Sequence, residues 1–280
     1  MIRDKSRMIR DKVCGSINRV QSSGTRFVAV STEYNHQGQE TNNLLPTPVC
    51  VPGWSDGKIR AFTPLTGTSM FTIHNAHPLG VMVLQMTADC RRIVSGGKEG
   101  DVRIWSLHPN GTQNLDFILK EHKGAITDLK IHPNDRACLT TSVDGTCIIW
   151  DLGTYTRSQV VFTSNPLLCG CWGLEGLQVV AAGASRQLLY MEAYNGVVVR
   201  ELEVSRCSPV TCLATSPDCC FLVTGSEDKL LKVWRYKEGE VVYLGVEHSA
   251  AVSGVAVAPD GRHLVSVGLD GAVLIWDFPQ

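Results

Sequence analysis

Residues 137–152 read ACLTTSVDGTCIIWDL. Two runs rich in β-branched and small apolar residues flank the tripeptide VDG at 143–145. An Asp-Gly pair between two such runs predicts a tight β-hairpin. The hairpin ends on Trp150, which follows Asp144 by six positions. Upstream, AITDLKIHPND at 125–135 adds another strand and a second turn, so the segment predicts at least three consecutive antiparallel strands.

The spacing of Asp144 and Trp150 recurs along the chain with a period of 41 to 45 residues. In five places an acidic residue stands six positions before an aromatic residue, and a degenerate sixth copy has Ser185 and Met191 instead. The aromatic column holds Phe62, Trp105, Trp150, Met191, Trp234 and Trp276. Two more columns share the period: a hydroxyl residue four positions before the acidic one, and a histidine 22 positions before it. Such strict periodicity indicates a repeated structural unit.

The repeated unit is made of strands. Residues 252–278 read VSGVAVAPDGRHLVSVGLDGAVLIWDF, in which short β-rich runs alternate with turns of Pro, Asp and Gly. No convincing amphipathic helix interrupts this pattern, so the fold class is predicted to be all-β. Four short strands in about 43 residues are typical of a β-propeller blade.

These residues resemble the WD-repeat family over about residues 51–280. The dipeptide that gives the family its name stands at Trp150-Asp151 and at Trp276-Asp277, and the histidine column keeps its place although the usual preceding glycine is replaced. The resemblance implies a propeller with about six recognisable four-stranded blades. The alternative is an incomplete, open seven-bladed ring.

Four segments are similar to the C-terminal repeats of the cilia- and flagella-associated WD-repeat proteins of motile axonemes. They are SDGKIRAF at 55–62, LKEHKGAI at 119–126, SVDGTCIIWDL at 142–152 and EGEVVYLGVEHS at 238–249. This resemblance implies a non-catalytic structural protein inside the doublet microtubule that contacts tubulin and other microtubule inner proteins. It also implies a location in the cytoplasm and the axoneme of the cilium or flagellum. The alternative function is a cytosolic adaptor that presents substrates to a larger complex such as a ubiquitin ligase.

The family resemblance also gives the columns a structural role. In WD repeats, histidine, serine or threonine, aspartate and tryptophan form a hydrogen-bonded chain within one blade. Three sets here fill all four places, one of them with glutamate for aspartate, and a fourth set lacks the histidine because Arg206 stands there. The sets are His122, Thr140, Asp144 and Trp150; His248, Ser266, Asp270 and Trp276; His77, Ser95, Glu99 and Trp105; and Thr224, Asp228 and Trp234.

Composition excludes several other classes of protein. The chain of 280 residues has 27 acidic and 26 basic residues, a net charge of −1, which argues against a nucleic-acid binder that acts through bulk basic charge. No apolar run is long enough to predict a membrane-spanning helix, and no apolar run follows the charged N-terminal residues to predict a secretory signal. The 11 cysteines are therefore expected to be reduced thiols, and without any Cys-x-x-Cys spacing they predict no zinc site. No cofactor or nucleic acid is predicted as a ligand.

A catalytic function is the alternative to this structural role. Histidine, aspartate and serine close together are the ingredients of a hydrolase triad. A triad occurs once in a protein, whereas this trio recurs at one register in every intact repeat, and no Gly-x-Ser-x-Gly elbow is present. We therefore expect the columns to hold the blades together rather than to act on a substrate.

A protein-binding face is predicted from the basic residues in or beside the turns of the acidic and histidine columns. These residues are Lys98, Lys123, Arg186, Arg206 and Lys229. The alternative is a solvated surface of mixed sign, because acidic residues such as Glu99 and Glu121 lie close by in the sequence. Trp54 and Trp172 fall outside the tryptophan column, and either a binding role or burial between blades would explain them.

The segment 1–50 does not carry the columns. Its polar, Pro-containing stretch predicts loop or disorder, and only TRFVAVSTEY at 25–34 resembles a strand. It is predicted to be an atypical, loop-rich segment before a propeller of residues 51–280. We expect it to be insufficient to close the ring, so that unclosed blade edges favour self-association.

Overall fold

The computed structural model describes residues 50–63, 66–108 and 110–278. These residues form 21 strands and one short 3₁₀ turn at Leu174–Gly176, so the prediction of an all-β fold is confirmed. No helix in these ranges is long and apolar enough to cross a membrane. The predictions for segment 1–50, including the strand at 25–34, fall almost entirely outside the described residues and stay predictions.

The strands form six antiparallel sheets, which we name A to F in chain order. Sheet A has β1 (Ile59–Phe62) and β2 (Ser69–Ile73). Sheet B has β3 (Val81–Met86), β4 (Arg92–Gly97), β5 (Val102–Leu107) and β6 (Gln113–Leu119). Sheet C has β7 (Ile126–Ile131), β8 (Ala137–Ser142), β9 (Thr146–Asp151) and β10 (Thr156–Phe162). Sheet D has β11 (Leu167–Gly173), β12 (Gln178–Gly183), β13 (Gln187–Glu192) and β14 (Val198–Glu203). Sheet E has β15 (Val210–Thr215), β16 (Phe221–Ser226), β17 (Leu231–Arg235) and β18 (Val241–Gly245), and sheet F has β19 (Val252–Val257), β20 (His263–Gly268) and β21 (Val273–Asp277).

The prediction of about six four-stranded blades is wrong. The described residues contain five blades, of which B to E have four strands and F has three, together with the two-stranded sheet A. Upstream of β1, only two isolated bridges form, Cys50 to Phe62 and Gly53 to Ile59. Pro52 lies between the bridged residues and has no N–H group, so it cannot donate to a regular ladder there.

Each sequence repeat is offset from its blade by one strand. Strand β6 opens the sequence repeat that continues with β7, β8 and β9, but it pairs with β5 and so belongs to sheet B and not to sheet C. Strands β10, β14 and β18 are arranged in the same way. The repeat that ends on an aromatic-column residue therefore receives its outer strand from the start of the next repeat.

The hairpin turns between the second and third strands need a left-handed residue. Gly145, one residue after Asp144, has φ of 81°. A Cβ atom at this position would also lie 2.6 Å from the carbonyl oxygen of Thr163. Glycine fits because it reaches positive φ without steric cost and leaves room for the neighbouring carbonyl.

The described residues fall into two compact units. The first contains residues 50–144 and 148–158, with sheets A and B and most of sheet C, and the second contains 145–147 and 159–278, with sheets D, E and F. In the first unit, a buried apolar cluster includes Ile59, Ile73, Leu84, Ile93 and Trp105. In the second unit, two clusters include Tyr190, Leu213, Leu222 and Trp234, and Val223, Leu231, Val233 and Leu264.

Candidate functional site

The column residues of sheet C form one chain of contacts, which is hydrogen-bonded from Trp150 through Thr140 to His122 and continues to Asp144 at a longer distance. Trp150 on β9 donates its indole N–H to Thr140 Oγ1 on β8 at 2.8 Å, and His122 Nε2 lies 2.7 Å from the same oxygen. His122 Nδ1 lies 3.7 Å from Asp144 Oδ2. That carboxylate also accepts the backbone N–H of Lys123 at 2.6 Å. The chain ties the turn after β8 to the loop before β7.

The chemistry of each group fixes the direction of the chain. An indole N–H only donates, so Thr140 accepts from Trp150 and its own hydroxyl proton is free to point at His122 Nε2. A neutral imidazole that accepts at Nε2 carries its proton on Nδ1, which faces Asp144. Burial lowers the pKa of His122 from 6.5 to about 4, although Asp144 opposes this effect, so the ring is neutral at pH 7.

Two other sets have the same arrangement. In sheet F, Trp276 donates to Ser266 Oγ at 2.8 Å, and His248 lies 2.7 Å from that oxygen and 3.2 Å from Asp270 Oδ2. In sheet B, Trp105 donates to Ser95 at 3.0 Å, and His77 joins Ser95 and Glu99 at 2.8 and 2.5 Å. Burial raises the pKa of Asp270, but the N–H groups of Ala272 and Ser249 and the nearby His248 outweigh it and lower that pKa to about 2.

The fourth set contains a residue that the sequence reasoning missed. In sheet E, Trp234 donates to Thr224 at 3.0 Å, as the column predicts. Arg206 occupies the histidine position but is exposed, and Ser205 takes its place by donating to Asp228 Oδ2 at 3.0 Å. Ser205 is buried and stands one residue out of register, so a fixed spacing of 22 residues could not identify it.

Sheet D replaces the chain with a contact between tyrosines and an arginine. Met191 pairs with Val179 in the register where tryptophans stand elsewhere, and the hydroxyl position holds buried Ala181. In its place, Tyr190 packs edge-to-face on Tyr236, which lies in the turn directly after β17, with ring centroids 5.3 Å apart. Arg200 lies over the Tyr190 ring at 5.5 Å and donates to the carbonyls of residues 237 and 238 at 2.6 Å.

Burial limits what these residues can do chemically. The hydroxyl residues Ser95, Thr140 and Ser266 have 0% of their surface exposed, so no substrate reaches them from solvent. Each hydroxyl accepts from an indole and contacts an imidazole, which leaves no geometry for attack on a bound carbonyl. The arrangement satisfies buried polar groups, and a fully satisfied network favours one packing of the strands.

We expect the chain to lose stability between about pH 7 and pH 5. The pKa of His122 is about 4 in the folded chain and near 6.5 in the unfolded chain, so the unfolded state takes up the proton first. The contribution of His122 is therefore complete above pH 6.5 and falls as pH drops toward 4, at up to about 1.4 kcal/mol per pH unit. Urea unfolding at several pH values measures this slope. The variant His122→Gln should be less stable at pH 7 by about 1–3 kcal/mol and show a shallower slope, and equal slopes would contradict the assignment.

The five basic residues of the predicted binding face are all exposed. In the first unit, Lys98 lies in the β4–β5 turn and Lys123 in the loop before β7. In the second unit, Arg186 donates to the carbonyl of Arg206 at 2.6 Å, which holds these two residues side by side, and Lys229 lies in the β16–β17 turn. Acidic groups are interspersed, although Glu121 is engaged by Arg157.

Two of these basic residues have a strained backbone. Arg186 and Lys229 have φ of 64° and 72° and stand one residue after the acidic column. The other four repeats have glycine there, as at Gly100 and Gly145. A side chain in the left-handed region costs about 1–2 kcal/mol, and such strain tends to persist where the residue has another role.

The variant Lys229→Gly should be more stable than the wild-type chain by about 0.5–1 kcal/mol. Glycine relieves the strain at positive φ but loses more backbone entropy on folding, and the net effect is stabilising. The midpoint of urea unfolding measures the change. Lys232→Gly, on a strand without positive φ, is the control and should destabilise. A destabilised Lys229→Gly would show that the turn is not strained.

The remaining candidates are spread over the described residues. Trp172 is buried, whereas Trp54 is partly exposed and has the Arg60 guanidinium 4.8 Å above its ring. The ten cysteines in the described ranges are free thiols, and burial raises the pKa of Cys147 to about 12. In those ranges no group of three or more His, Cys, Asp or Glu side chains is placed to hold a metal ion.

Comparison with known proteins agrees with this geometry. The family described as WD domain, G-beta repeat matches residues 67–106, 113–151, 196–235 and 240–277. The unmatched interval 152–195 contains the degenerate repeat of sheet D. A solved structure titled Crystal Structure of Mitotic Checkpoint Complex superposes with a TM-score of 0.75 at 18% identity over 83% of this chain and 74% of that one, a likeness of fold alone.

The predicted resemblance to cilia- and flagella-associated WD-repeat proteins is confirmed. Cilia- and flagella-associated protein 52 of Homo sapiens is 42% identical over 229 residues, which are 82% of this chain and 37% of the relative. The protein of the same name from Chlamydomonas reinhardtii is 41% identical over 228 residues, 81% of this chain and 37% of the relative. This chain thus spans little more than a third of the length of these relatives. The family match covers more than half of the residues, and the chain belongs to the WD-repeat family.

Proposed function

We propose that this chain is a non-catalytic protein-binding scaffold of the ciliary or flagellar axoneme, associated with doublet microtubules and needed for the motility of cilia or sperm. The observation that carries the proposal is the 42% identity to a human cilia- and flagella-associated protein over 82% of this chain. A similar identity to the algal protein supports a role common to motile cilia. The proposed partners are tubulin and other microtubule inner proteins, and the proposed location is the cytoplasm and the axoneme.

The buried columns support the non-catalytic part of the proposal. The three groups that a hydrolase would need, namely hydroxyl, imidazole and carboxylate, are joined to each other and to an indole inside the blades. Their substitution is therefore expected to change stability without removing any specific chemical activity. The function is left to the loops and turns at the ends of the strands, which a rigid propeller presents to partners.

Localisation tests the proposal directly. A chain tagged at its own locus in multiciliated cells is expected along the axoneme and should remain with the doublet microtubules after the membrane and soluble matrix are removed by detergent. Loss of the chain should reduce ciliary beating. A chain that is diffuse in the cytosol, or that is expressed equally in cells without motile cilia, would contradict the proposal and favour the adaptor function.

We further propose that the exposed basic residues meet an acidic partner such as tubulin. In the first unit, the double variant Lys98→Glu and Lys123→Glu is expected to weaken co-sedimentation with microtubules by about tenfold, because charge reversal replaces attraction with repulsion. Added salt should weaken the binding of the wild-type chain but change that of the variant little.

A matched control uses two exposed arginines of the same unit at the opposite ends of the strands. The double variant Arg91→Glu and Arg136→Glu changes the net charge by the same amount, and it should keep wild-type binding if the turns around Lys98 and Lys123 form the contact. Equal losses in both variants would indicate a net-charge effect. Undiminished binding of the Lys98 and Lys123 variant would favour the solvated surface of mixed sign.

A further inference from the structure

A cavity lies between sheets E and F, beside the turns that join the first and second strands of each sheet. Its volume is about 250 Å³, below the range of about 300–1,000 Å³ that is usual for pockets of drug-sized ligands. It therefore has room for one side chain or another small group. The described residues that line it are 216–218, 259–261 and Phe278. The junction of sheets B and C, in the other unit, shows what occupies the corresponding place there.

In sheets B and C an arginine of the chain itself bridges this place. Arg92, the first residue of β4, donates to the carbonyl of Leu152 at 3.0 Å and to that of Asp135 at 3.4 Å. The side chain of Asp135 in turn accepts the backbone N–H of Ala88 at 2.9 Å. A guanidinium group and one hydrogen bond between the turns thus connect the two sheets.

The junction of sheets E and F has an aromatic pair instead of the guanidinium. Phe221 stands in the register of Arg92, because each pairs with the residue directly after a column tryptophan. Phe278 stands two residues after such a tryptophan, as Leu152 does. The ring of Phe221 packs edge-to-face on that of Phe278, with centroids 5.6 Å apart. Phe278 therefore offers an apolar aromatic surface to the cavity.

The hydrogen bond between the turns cannot form at this junction. Pro217 corresponds to Ala88 but has no N–H group, and Gly261 corresponds to Asp135 but has no carboxylate. The correspondence is fixed because all four turns have the same backbone hydrogen bond from their fourth residue to their first. The cavity thus lies where sheets E and F lack both contacts of the other junction.

Two carboxylates belong to the lining of the cavity. Asp218 and Asp260 are exposed, and they are the charged residues of the described lining. Each accepts the backbone N–H of the second residue after it, at 3.0 and 2.8 Å. The Ser216 hydroxyl lowers the pKa of Asp218, and the N–H of Arg262 lowers the pKa of Asp260, so both are ionised at neutral pH. Because a carboxylate has about four lone-pair positions, each can also accept from a ligand.

From this geometry we infer that the cavity between sheets E and F binds an arginine side chain of a partner protein. A guanidinium is planar, stacks on an aromatic ring and donates as a fork to carboxylates. Its methylene stem packs against Pro217 and Pro259, while the cation meets the two aspartates. The partner's arginine takes the part that Arg92 plays between sheets B and C. The site selects a basic segment, so it is independent of the basic turns that are proposed above to meet an acidic partner.

A short capped peptide tests the inference on the full chain. The probe is a tripeptide with arginine between two glycines, followed by the broadening of its NMR signals as the chain is added, and the control peptide has citrulline, a neutral isostere of arginine. We expect saturable binding of the arginine peptide with a Kd of about 1 mM, and at least about tenfold weaker binding of the citrulline peptide. No binding of the arginine peptide, or equal binding of both peptides, would overturn the inference. Equally tight binding of methylguanidinium would also overturn it, because the ligand would then be a small ion and not a protein segment.

Removal of the two charges locates the binding in the cavity. In the double variant Asp218→Asn and Asp260→Asn, the side-chain oxygens still accept the hydrogen bonds of the turns. This variant should bind the arginine peptide at least about tenfold more weakly. The double variant Glu201→Gln and Glu203→Gln changes the net charge equally at exposed positions of β14 outside the lining and should bind as the wild-type chain does. Unchanged binding in the aspartate variant, or equal losses in both variants, would overturn the site.

The variant Phe221→Arg supplies a guanidinium from the chain itself, at the register of Arg92. It should occupy the cavity and weaken binding of the arginine peptide by at least about tenfold, while circular dichroism stays at the wild-type signal. Phe221→Leu is the matched control, because it stays apolar and should keep the binding. Unchanged peptide binding in a folded Phe221→Arg variant would overturn the inference, and the aspartate variant decides the matter if Phe221→Arg does not fold.

Discussion

Replacing Trp150 with alanine is expected to lower the free energy of unfolding by about 3–5 kcal/mol. The side chain is 1% exposed and lies against the His122 ring, with centroids 6.2 Å apart in an edge-on arrangement. Its removal leaves a large cavity in sheet C and takes the N–H donor away from Thr140. The midpoint and slope of urea unfolding, followed by circular dichroism, give the change.

The same substitution at Trp276 is the matched comparison. Trp276 makes the same hydrogen bond, to Ser266, but it is only partly buried in the three-stranded sheet F. Less apolar surface is lost there, so Trp276→Ala should cost less than Trp150→Ala. If Trp276→Ala lowered the free energy of unfolding as much as Trp150→Ala or more, burial under a fourth strand would not determine how much the tryptophan stabilises its sheet.

Replacing Thr140 with valine is expected to cost about 2–4 kcal/mol, although the two side chains have nearly the same shape. Thr140 is completely buried, and its hydroxyl joins Trp150 and His122. Valine leaves both the indole N–H and the imidazole Nε2 without a partner inside the blade. Each unsatisfied buried group costs about 1–3 kcal/mol, whereas the loss of packing is small.

Sheet E provides the control for this prediction. Thr224 accepts a hydrogen bond from Trp234, as Thr140 does from Trp150. No histidine stands in that repeat, and Ser205 contacts Asp228 directly instead. Thr224→Val removes the hydrogen-bond partner of one buried group, the indole N–H of Trp234, instead of two. The free energy of unfolding should therefore fall by about half as much as in Thr140→Val. Equal losses in Thr140→Val and Thr224→Val would mean that the His122 contact adds nothing to stability.

The periodic part of this protein could be predicted from the sequence because each column needs a particular hydrogen-bonding type at a fixed distance. Trp150, Thr140 and His122 were found by spacing alone, and the structure brings them together. Turn glycines such as Gly145 belong to the same signal, since the hairpin requires positive φ at one position. The all-β fold class and the strand order within each blade follow from the same repeats.

What could not be predicted depends on contacts that are not periodic. Ser205 is one residue out of register, so only its position beside Asp228 identifies it. The contact of Tyr190, Arg200 and Tyr236 joins two strands and a turn at unrelated spacings. The number of strands in sheet A was also beyond the sequence, because only the backbone pairing shows that Cys50 and Gly53 form isolated bridges and not a regular strand. The loop-rich segment 1–50 and the closure of the ring stay predictions.

The one-strand offset between repeat and blade has a consequence for how such chains change in length. Excision of exactly one period, for example from β6 through β9, removes the outer strand of one blade and three strands of the next, and β10 then takes the vacated place beside β5. The hydrogen-bonding partners change, but every remaining sheet keeps its complement of strands. An excision of half a period, for example β6 and β7 alone, would instead leave six strands where two four-stranded sheets need eight. Duplication or loss of repeats in a gene is therefore tolerated in whole periods, wherever within the period the boundaries fall, and blade number can drift over evolution without any intermediate that exposes a new edge.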